Sequence, residues 1–235
     1  MFAGVAVALS ATLPSASAAD PFADLEPRRW YVSGIVGGSF MTLSSGGENT
    51  LAPAANTGRA NGGGFTGGGA IGLAIPVDGG QWRTEIEGRQ RARLAGQTDL
   101  VGDPFFYDVQ AADGWSVTAN LWRDIAITER SDFYVGGGIG GGGYRLSVDD
   151  RVYASGYDRV AEFAWQAGGG LIWNASDRVA IDLGYRFFAL DTGSTPLADS
   201  LSGGPAGAYT SSLSASEVLL TFRIYEPLAV LRGRR

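Results

Sequence analysis

Between Glu162 and Phe188 the chain reads EFAWQAGGGLIWNASDRVAIDLGYRFF. Phe163, Trp165, Ala167, Gly169, Leu171 and Trp173 fall on one face of an extended chain and Glu162, Ala164, Gln166, Gly168 and Gly170 on the other. A period of two is that of a strand. After a break at Asn174–Asp177, Val179, Ile181, Leu183, Tyr185 and Phe187 alternate with Ala180, Asp182, Gly184 and Arg186. One face is bulky and apolar; the other is small or charged. In a water-soluble barrel the polar face meets solvent, but charges that share a face with glycine and alanine suit a cramped polar interior instead. Apolar residues toward lipid and polar ones toward a lumen is the alternation of a transmembrane β-barrel.

Working outward, the same plan recurs. Trp30, Val32, Gly34 and Val36 alternate with Tyr31, Ser33, Ile35 and Gly37, and Phe65 to Ile75 alternate with Thr66 to Ala74. A Pro76–Gly80 turn carries the Asp-Gly signal of a hairpin. In the third strand Trp82, Thr84, Ile86, Gly88, Gln90, Ala92 and Leu94 oppose Arg83, Glu85, Glu87, Arg89, Arg91 and Arg93. The competing reading of that charged face is a solvated side of a soluble sheet. Further strands start at Trp115, with Ser116, Thr118 and Asn120 behind, at Phe133, and at Val218, where Phe222 and Ile224 oppose Glu217 and Arg223. Between them lie expected loops at Leu43–Asn61, Ala95–Gly114, Asp149–Tyr153 and Asp191–Leu213. Long connections thus follow strands one, three, five and seven, and short ones follow two, four and six, as for a barrel whose rims face different compartments. The expected fold is all-β, an eight-stranded antiparallel transmembrane up-and-down β-barrel.

Composition narrows the function. Glycine supplies 37 of 235 residues, against about 7% in ordinary chains. With no cysteine and no histidine, disulfides, thiolate metal sites and the commonest general base are excluded. The formal net charge is −6. An apolar run from Phe2 to Leu13 and small residues at Ala16 and Ala18 fit a signal peptide over 1–18, the bland alternative being a short core helix. A polar periplasmic lead-in is expected at 19–29, the barrel over 30–226, and a C-terminal tail over 227–235 ending in Arg232-Gly233-Arg234-Arg235.

Two matches to G-x-G-x-x-G, at Gly62/Gly64/Gly67 and Gly136/Gly138/Gly141, run into strands rather than a helix, so they do not make a dinucleotide site. Glycine there leaves room for large inward side chains. The expected lumen set is Arg83, Glu85, Glu87, Arg89, Arg91, Arg93, Glu162, Asp182, Arg186, Glu217 and Arg223, nearly balanced in sign and therefore able to pair. Expected lipid-facing anchors are Trp30, Trp82, Trp115, Phe133, Phe163, Trp165, Trp173, Tyr185, Phe187 and Phe222. An eight-stranded interior is just wide enough for side chains, which favours a plugged lumen. A narrow channel or porin for small solutes is one alternative; a soluble periplasmic barrel that binds a small hydrophobic ligand is another. Glu85 and Glu87, flanked by Arg83 and Arg89, read as ion-pair members rather than a catalytic acid and base, so no enzyme activity and no cofactor are expected.

The stretches FAWQAGGGLIW and DRVAIDLGYRFF, with FYVGGGIGGGGYRL at Phe133–Leu146 and WYVSGIVGG at Trp30–Gly38, resemble the OmpA-like, opacity-type outer-membrane β-barrels, including the Omp25/Omp31-like surface antigens of alphaproteobacteria. The resemblance implies an eight-stranded barrel in the bacterial outer membrane with structural, adhesive or surface-antigen roles and no catalytic residues. Its expected partners are outer-membrane lipid and lipopolysaccharide, the barrel-assembly machinery, and a protein met by the external loops, where Phe105, Phe106, Tyr107, Tyr153 and Tyr157 lie; nucleic acid is not among them. Members end on an aromatic residue closing the last strand, whereas here Tyr225 is followed by Glu226-Pro227 and the basic tail.

Overall fold

The computed structural model describes residues 29–49, 52–99 and 106–228. The segments expected as signal peptide and most of the lead-in, and the tail beyond Leu228, lie outside the described residues. Ten strands are present among the described residues: β1 (Arg29–Asn49), β2 (Ala52–Val77), β3 (Gly80–Arg91), β4 (Leu94–Asp99), β5 (Phe106–Thr128), β6 (Ser131–Asp149), β7 (Ala154–Ser176), β8 (Val179–Leu190), β9 (Gly193–Asp199) and β10 (Pro205–Tyr225). They make eight staves, because β3 and β4 are one stave broken at Ala92–Arg93, and β8 and β9 are another broken at Asp191–Thr192. Each stave pairs antiparallel with its sequence neighbour, and β1 pairs β10 from Tyr31↔Tyr225 to Asn49↔Gly207, which closes the ring. Closure leaves no bare sheet edge along that seam.

Short turns hold one rim together. Val77 pairs Gly80 across the two-residue Asp78-Gly79 turn, where Gly79 adopts φ of 71°, a conformation glycine takes without strain. At the other rim the strands run much further than expected. The Leu43–Asn61 segment is largely ladder between β1 and β2, Ala95–Gly114 holds β4 and the start of β5, and Asp191–Leu213 holds β9 and the start of β10. Serine, threonine, glycine and alanine blur the period of two in these segments, which is why their sequence suggests loops. The described tip, at Ser200–Ser202 between β9 and β10, is a turn.

Two contrasting interiors stack along the ring. Toward the short-turn rim the inward side chains are charged or aromatic and polar; toward the far rim they form an apolar plug that includes Leu43, Leu94, Tyr107, Leu146, Phe188, Leu197, Tyr209 and Leu213. The outer surface changes in the opposite sense. On β7, Phe163, Trp165, Leu171 and Trp173 are exposed, and beyond them the outward residues are Arg159, Tyr157 and Ser155.

The break at Ala92–Arg93 corrects one expectation. Ala92 N donates to Phe65 O at 2.8 Å, after which the stave gains an extra residue and its faces exchange. Leu94, expected to face outward, is therefore buried in the plug, and Arg93, expected in the lumen, points to solvent. Tyr107, expected on an exposed loop, is fully buried beside Tyr209, their ring centroids 5.8 Å apart. Phe105 lies outside the described residues.

Candidate functional site

The polar half of the lumen is the most elaborate chemistry in the fold. It is built by parity: on β3 every second residue from Arg83 to Arg91 points inward, and the facing strands supply Asn120, Trp122 and Asp124 from β5, Gln166 from β7, Asp182 and Arg186 from β8, and Glu217 and Arg223 from β10. Five arginines (83, 89, 91, 186 and 223) and five carboxylates (Glu85, Glu87, Asp124, Asp182 and Glu217) are buried there. The counts match, so burial leaves no net charge to neutralise.

The pairing is dense. Arg83 Nε donates to Asp124 Oδ2 at 2.7 Å and Oδ1 at 2.9 Å. Glu217 takes Arg91 Nε at 2.8 Å, Arg89 through Nη1, and the Ser39 hydroxyl at 3.1 Å. Arg186 pairs Glu87, and Arg223 pairs Asp182. Glu85 accepts from Tyr31 Oη at 2.7 Å, Trp122 Nε1 at 2.8 Å and Asn120 Nδ2 at 3.2 Å. Gln166 ties the middle, donating to Thr118 Oγ1 at 3.0 Å and Asn120 Oδ1 at 2.8 Å while accepting from Arg89. Glu87 Oε1 and Arg89 Nε are 2.7 Å apart, within ion-pair range but outside hydrogen-bond geometry. Aromatic rings close the gaps: Arg91 lies 3.6 Å from the Phe188 centroid and Arg186 4.6 Å from that of Trp122.

Glycine makes room for these groups. Tyr134 projects between Gly170 and Gly184, where any β-carbon would collide with its ring or hydroxyl. Gly136 accommodates Trp122 and Gly68 accommodates Arg89 in the same way. The glycines of both G-x-G-x-x-G matches sit in β2 and β6, with no helix after either.

Of the expected lumen set, Arg83, Glu85, Glu87, Arg89, Arg91, Asp182, Arg186, Glu217 and Arg223 come together. Arg93 does not, for the reason given above. Glu162 is a second correction: its face is right, but it is only half-buried, lies above the network near Gly193, and enters no ion pair among the described residues. Asp124 was missed, although continuing the inward series Ser116, Thr118, Asn120 by two steps reaches it. Gln81 was missed as well; it donates to Asp124 Oδ2 at 2.7 Å and Tyr225 Oη at 3.1 Å, and caps the network beneath a polar mouth of about 520 Å³.

Outside, the ten expected anchors all occupy outward positions. Trp82, Trp115, Phe133, Phe163, Trp165, Trp173, Tyr185 and Phe222 are exposed, whereas Trp30 and Phe187 are half-covered by neighbours, Phe187 by Trp165 at 5.4 Å. With Phe40, Phe65, Ile71, Ile86, Leu121 and Ile139 they form a continuous apolar belt around the charged half of the lumen.

No protein-family model matches the chain, and no curated protein does. Solved structures similar to it include Neisserial surface protein A, at 15% identity and TM-score 0.40, covering 85% of this chain and 99% of that one. The outer membrane protein OprG from Pseudomonas aeruginosa aligns at 11% identity and TM-score 0.42, over 82% and 95% of the two chains. The outer membrane protein AlkL, solved in lipid bilayers, aligns at 15% identity and TM-score 0.39, over 92% and 96%. None reaches a TM-score of 0.5, and no residue's role passes from them to this chain.

Proposed function

We propose that the protein is a bacterial outer-membrane barrel with a structural role, held in lipid by its apolar belt and sealed by its lumen. One observation carries this: over the same span of strand, large apolar side chains face out and ten paired charges face in. On β7 the span runs from Phe163 to Trp173, and about ten residues tilted by about 40° cross about 25 Å of hydrocarbon. Such a belt in water would expose an apolar surface far larger than soluble monomers carry. Lipid contributes no hydrogen bonds, and a closed ring needs none from it.

The closed interior supports a plug rather than a pore. A permeating ion would have to part Arg83 from Asp124 and Arg89 from Glu217, then cross the apolar plug around Leu94 and Leu146. Beyond the belt the barrel continues as a stalk, two of whose tips are fixed by aspartates. Asp150 Oδ1 accepts the backbone N–H groups of Val152, Tyr153 and Ala154 at 2.7–2.9 Å, and Asp199 Oδ1 those of Leu201 and Ser202. Ser200 N donates to Tyr153 O at 2.7 Å and joins the two tips. Val152, Tyr153, Tyr157 and Leu201 are exposed there, which supports contact with another protein as the stalk's external role.

The test is a gel and a bilayer. The folded protein extracted in detergent should migrate differently before and after boiling, and planar bilayers containing it should show no steady conductance. Large steady currents would replace the plug with a channel, while solubility in buffer without detergent and unchanged migration would replace the membrane barrel with a soluble one.

A further inference from the structure

Just beyond the belt the outer wall carries an arrangement that barrel closure does not require. Arg145 on β6 and Arg159 on β7 are direct register partners, and both point outward. Like charges directly opposite each other weaken a strand pair. Asp113 offsets one of them, pairing with Arg145 Nη2. It reaches that position because the β5–β6 ladder slips between Ala112 and Trp115, with Asp113 at φ of 52°. The offset is incomplete. Arg145 Nε is buried without a hydrogen-bond partner, and the Arg159 guanidinium has no partner among the described residues. Both arginines, with Asp113, Trp115 and Tyr144, line a cavity of about 410 Å³. The Trp115 indole, an N–H donor, lies over Gly143 at its edge.

Its height on the wall identifies the occupant. Trp115 pairs Gly143 and Phe163 pairs Gly141, so the two arginines stand one outward position above Trp115 and two above Phe163, the last belt aromatics on β5 and β7. Resting on the membrane reading above, that is the headgroup level, where aromatic girdles end. We propose that the Arg145–Arg159 cavity binds the phosphate of an outer-leaflet lipid headgroup. Two guanidinium forks present the paired N–H groups that phosphate oxygens accept, and the net positive charge left by the single Asp113 is what such a group neutralises. The Asp113 carboxylate accepts hydroxyl groups of an attached sugar, and the Trp115 ring covers its apolar face.

The experiment uses the full chain folded in detergent micelles, titrated by native mass spectrometry with lipid A, with the same lipid after enzymatic dephosphorylation, and with inorganic phosphate. Wild-type protein should retain lipid A about tenfold more tightly than the dephosphorylated form, and R145Q and R159Q should each reduce that preference severalfold, as loss of charge-assisted hydrogen bonds does. R59Q, which removes another exposed outward arginine higher on the wall, should leave it unchanged. Equal binding of lipid A by wild type and the R145Q/R159Q double variant would overturn the site, and displacement of lipid A by equimolar inorganic phosphate would overturn the lipid as its occupant. Unheated gels of the same samples separate the two claims: a heat-shifted protein that ignores the phosphate loses only this site, whereas absence of the shift removes the membrane reading and the site with it.

Discussion

The same strands carry opposite polarity in their two halves, and β10 shows it most clearly. From Glu217 to Tyr225, Val218, Leu220, Phe222 and Ile224 face out while Glu217, Thr221 and Arg223 face in. From Tyr209 to Ser216 the outward residues are Thr210, Ser212, Ser214 and Ser216, and the inward ones include Tyr209, Leu213 and Ala215. The backbone does not change; the solvent it is written for does. In the outer half, burying Leu43, Leu146 and Leu213 removes apolar area from water, the driving force of any soluble core. In the belt half the apolar side chains face outward instead, toward lipid on the proposed membrane reading, and stability inside rests on matched charges that satisfy one another.

The largest break in this contrast should come from Glu217→Ala. It leaves Arg89 and Arg91 buried without their shared carboxylate and is expected to cost about 3–5 kcal/mol, read by urea unfolding in lipid vesicles followed by tryptophan fluorescence. Next, Leu146→Ala should lower stability by about 3 kcal/mol in the same assay, through the cavity it opens in the apolar plug. Ile139→Arg, at the middle of the belt, should cost about 2–3 kcal/mol. Ser147→Arg, outward on the same strand but beyond the belt, should change stability by no more than about 0.5 kcal/mol. Equal penalties at these two positions would erase the distinction between halves.

The smallest effect concerns pH. Hydrogen bonds from Gln97 and from Arg151 hold the exposed Asp108 carboxyl below its ordinary range. A depressed folded-state value means that its contribution is present above the unfolded value, near pH 4, and is lost as pH falls further. Hydrogen exchange at the β4–β5 end should therefore speed up below about pH 4, and Asp108→Asn should remove that acid dependence without altering exchange in the belt.

The belt half was legible in the sequence because bulky apolar residues alternate there with charges or glycine, as in Trp82 to Gln90. The sorting of turns by length, together with that alternation, was enough to give eight staves and their closure. The outer half was not legible, since runs such as Thr210-Ser211-Ser212-Leu213-Ser214-Ala215 lack the size contrast that marks a face. Parity also fails wherever a residue is inserted. Arg93 and Leu94 exchange faces after Ala92, and Asp113 and Gly114 interrupt β5, yet nothing in the local composition marks either slip. Asp124, by contrast, is within reach of the pattern, because the inward series Ser116, Thr118, Asn120 continues through Trp122 to it.

The chain contains no cysteine, so single cysteines can map the boundary between the halves directly. Placed in turn at the outward β7 positions Ser155, Tyr157, Arg159, Ala161, Phe163, Trp165, Ala167, Gly169, Leu171 and Trp173 in vesicle-inserted protein, they would be challenged with a membrane-impermeant maleimide. Labelling should be rapid from 155 to 161 and blocked from 163 to 173, with the change falling within one or two positions. Uniform labelling along the whole strand would contradict that boundary.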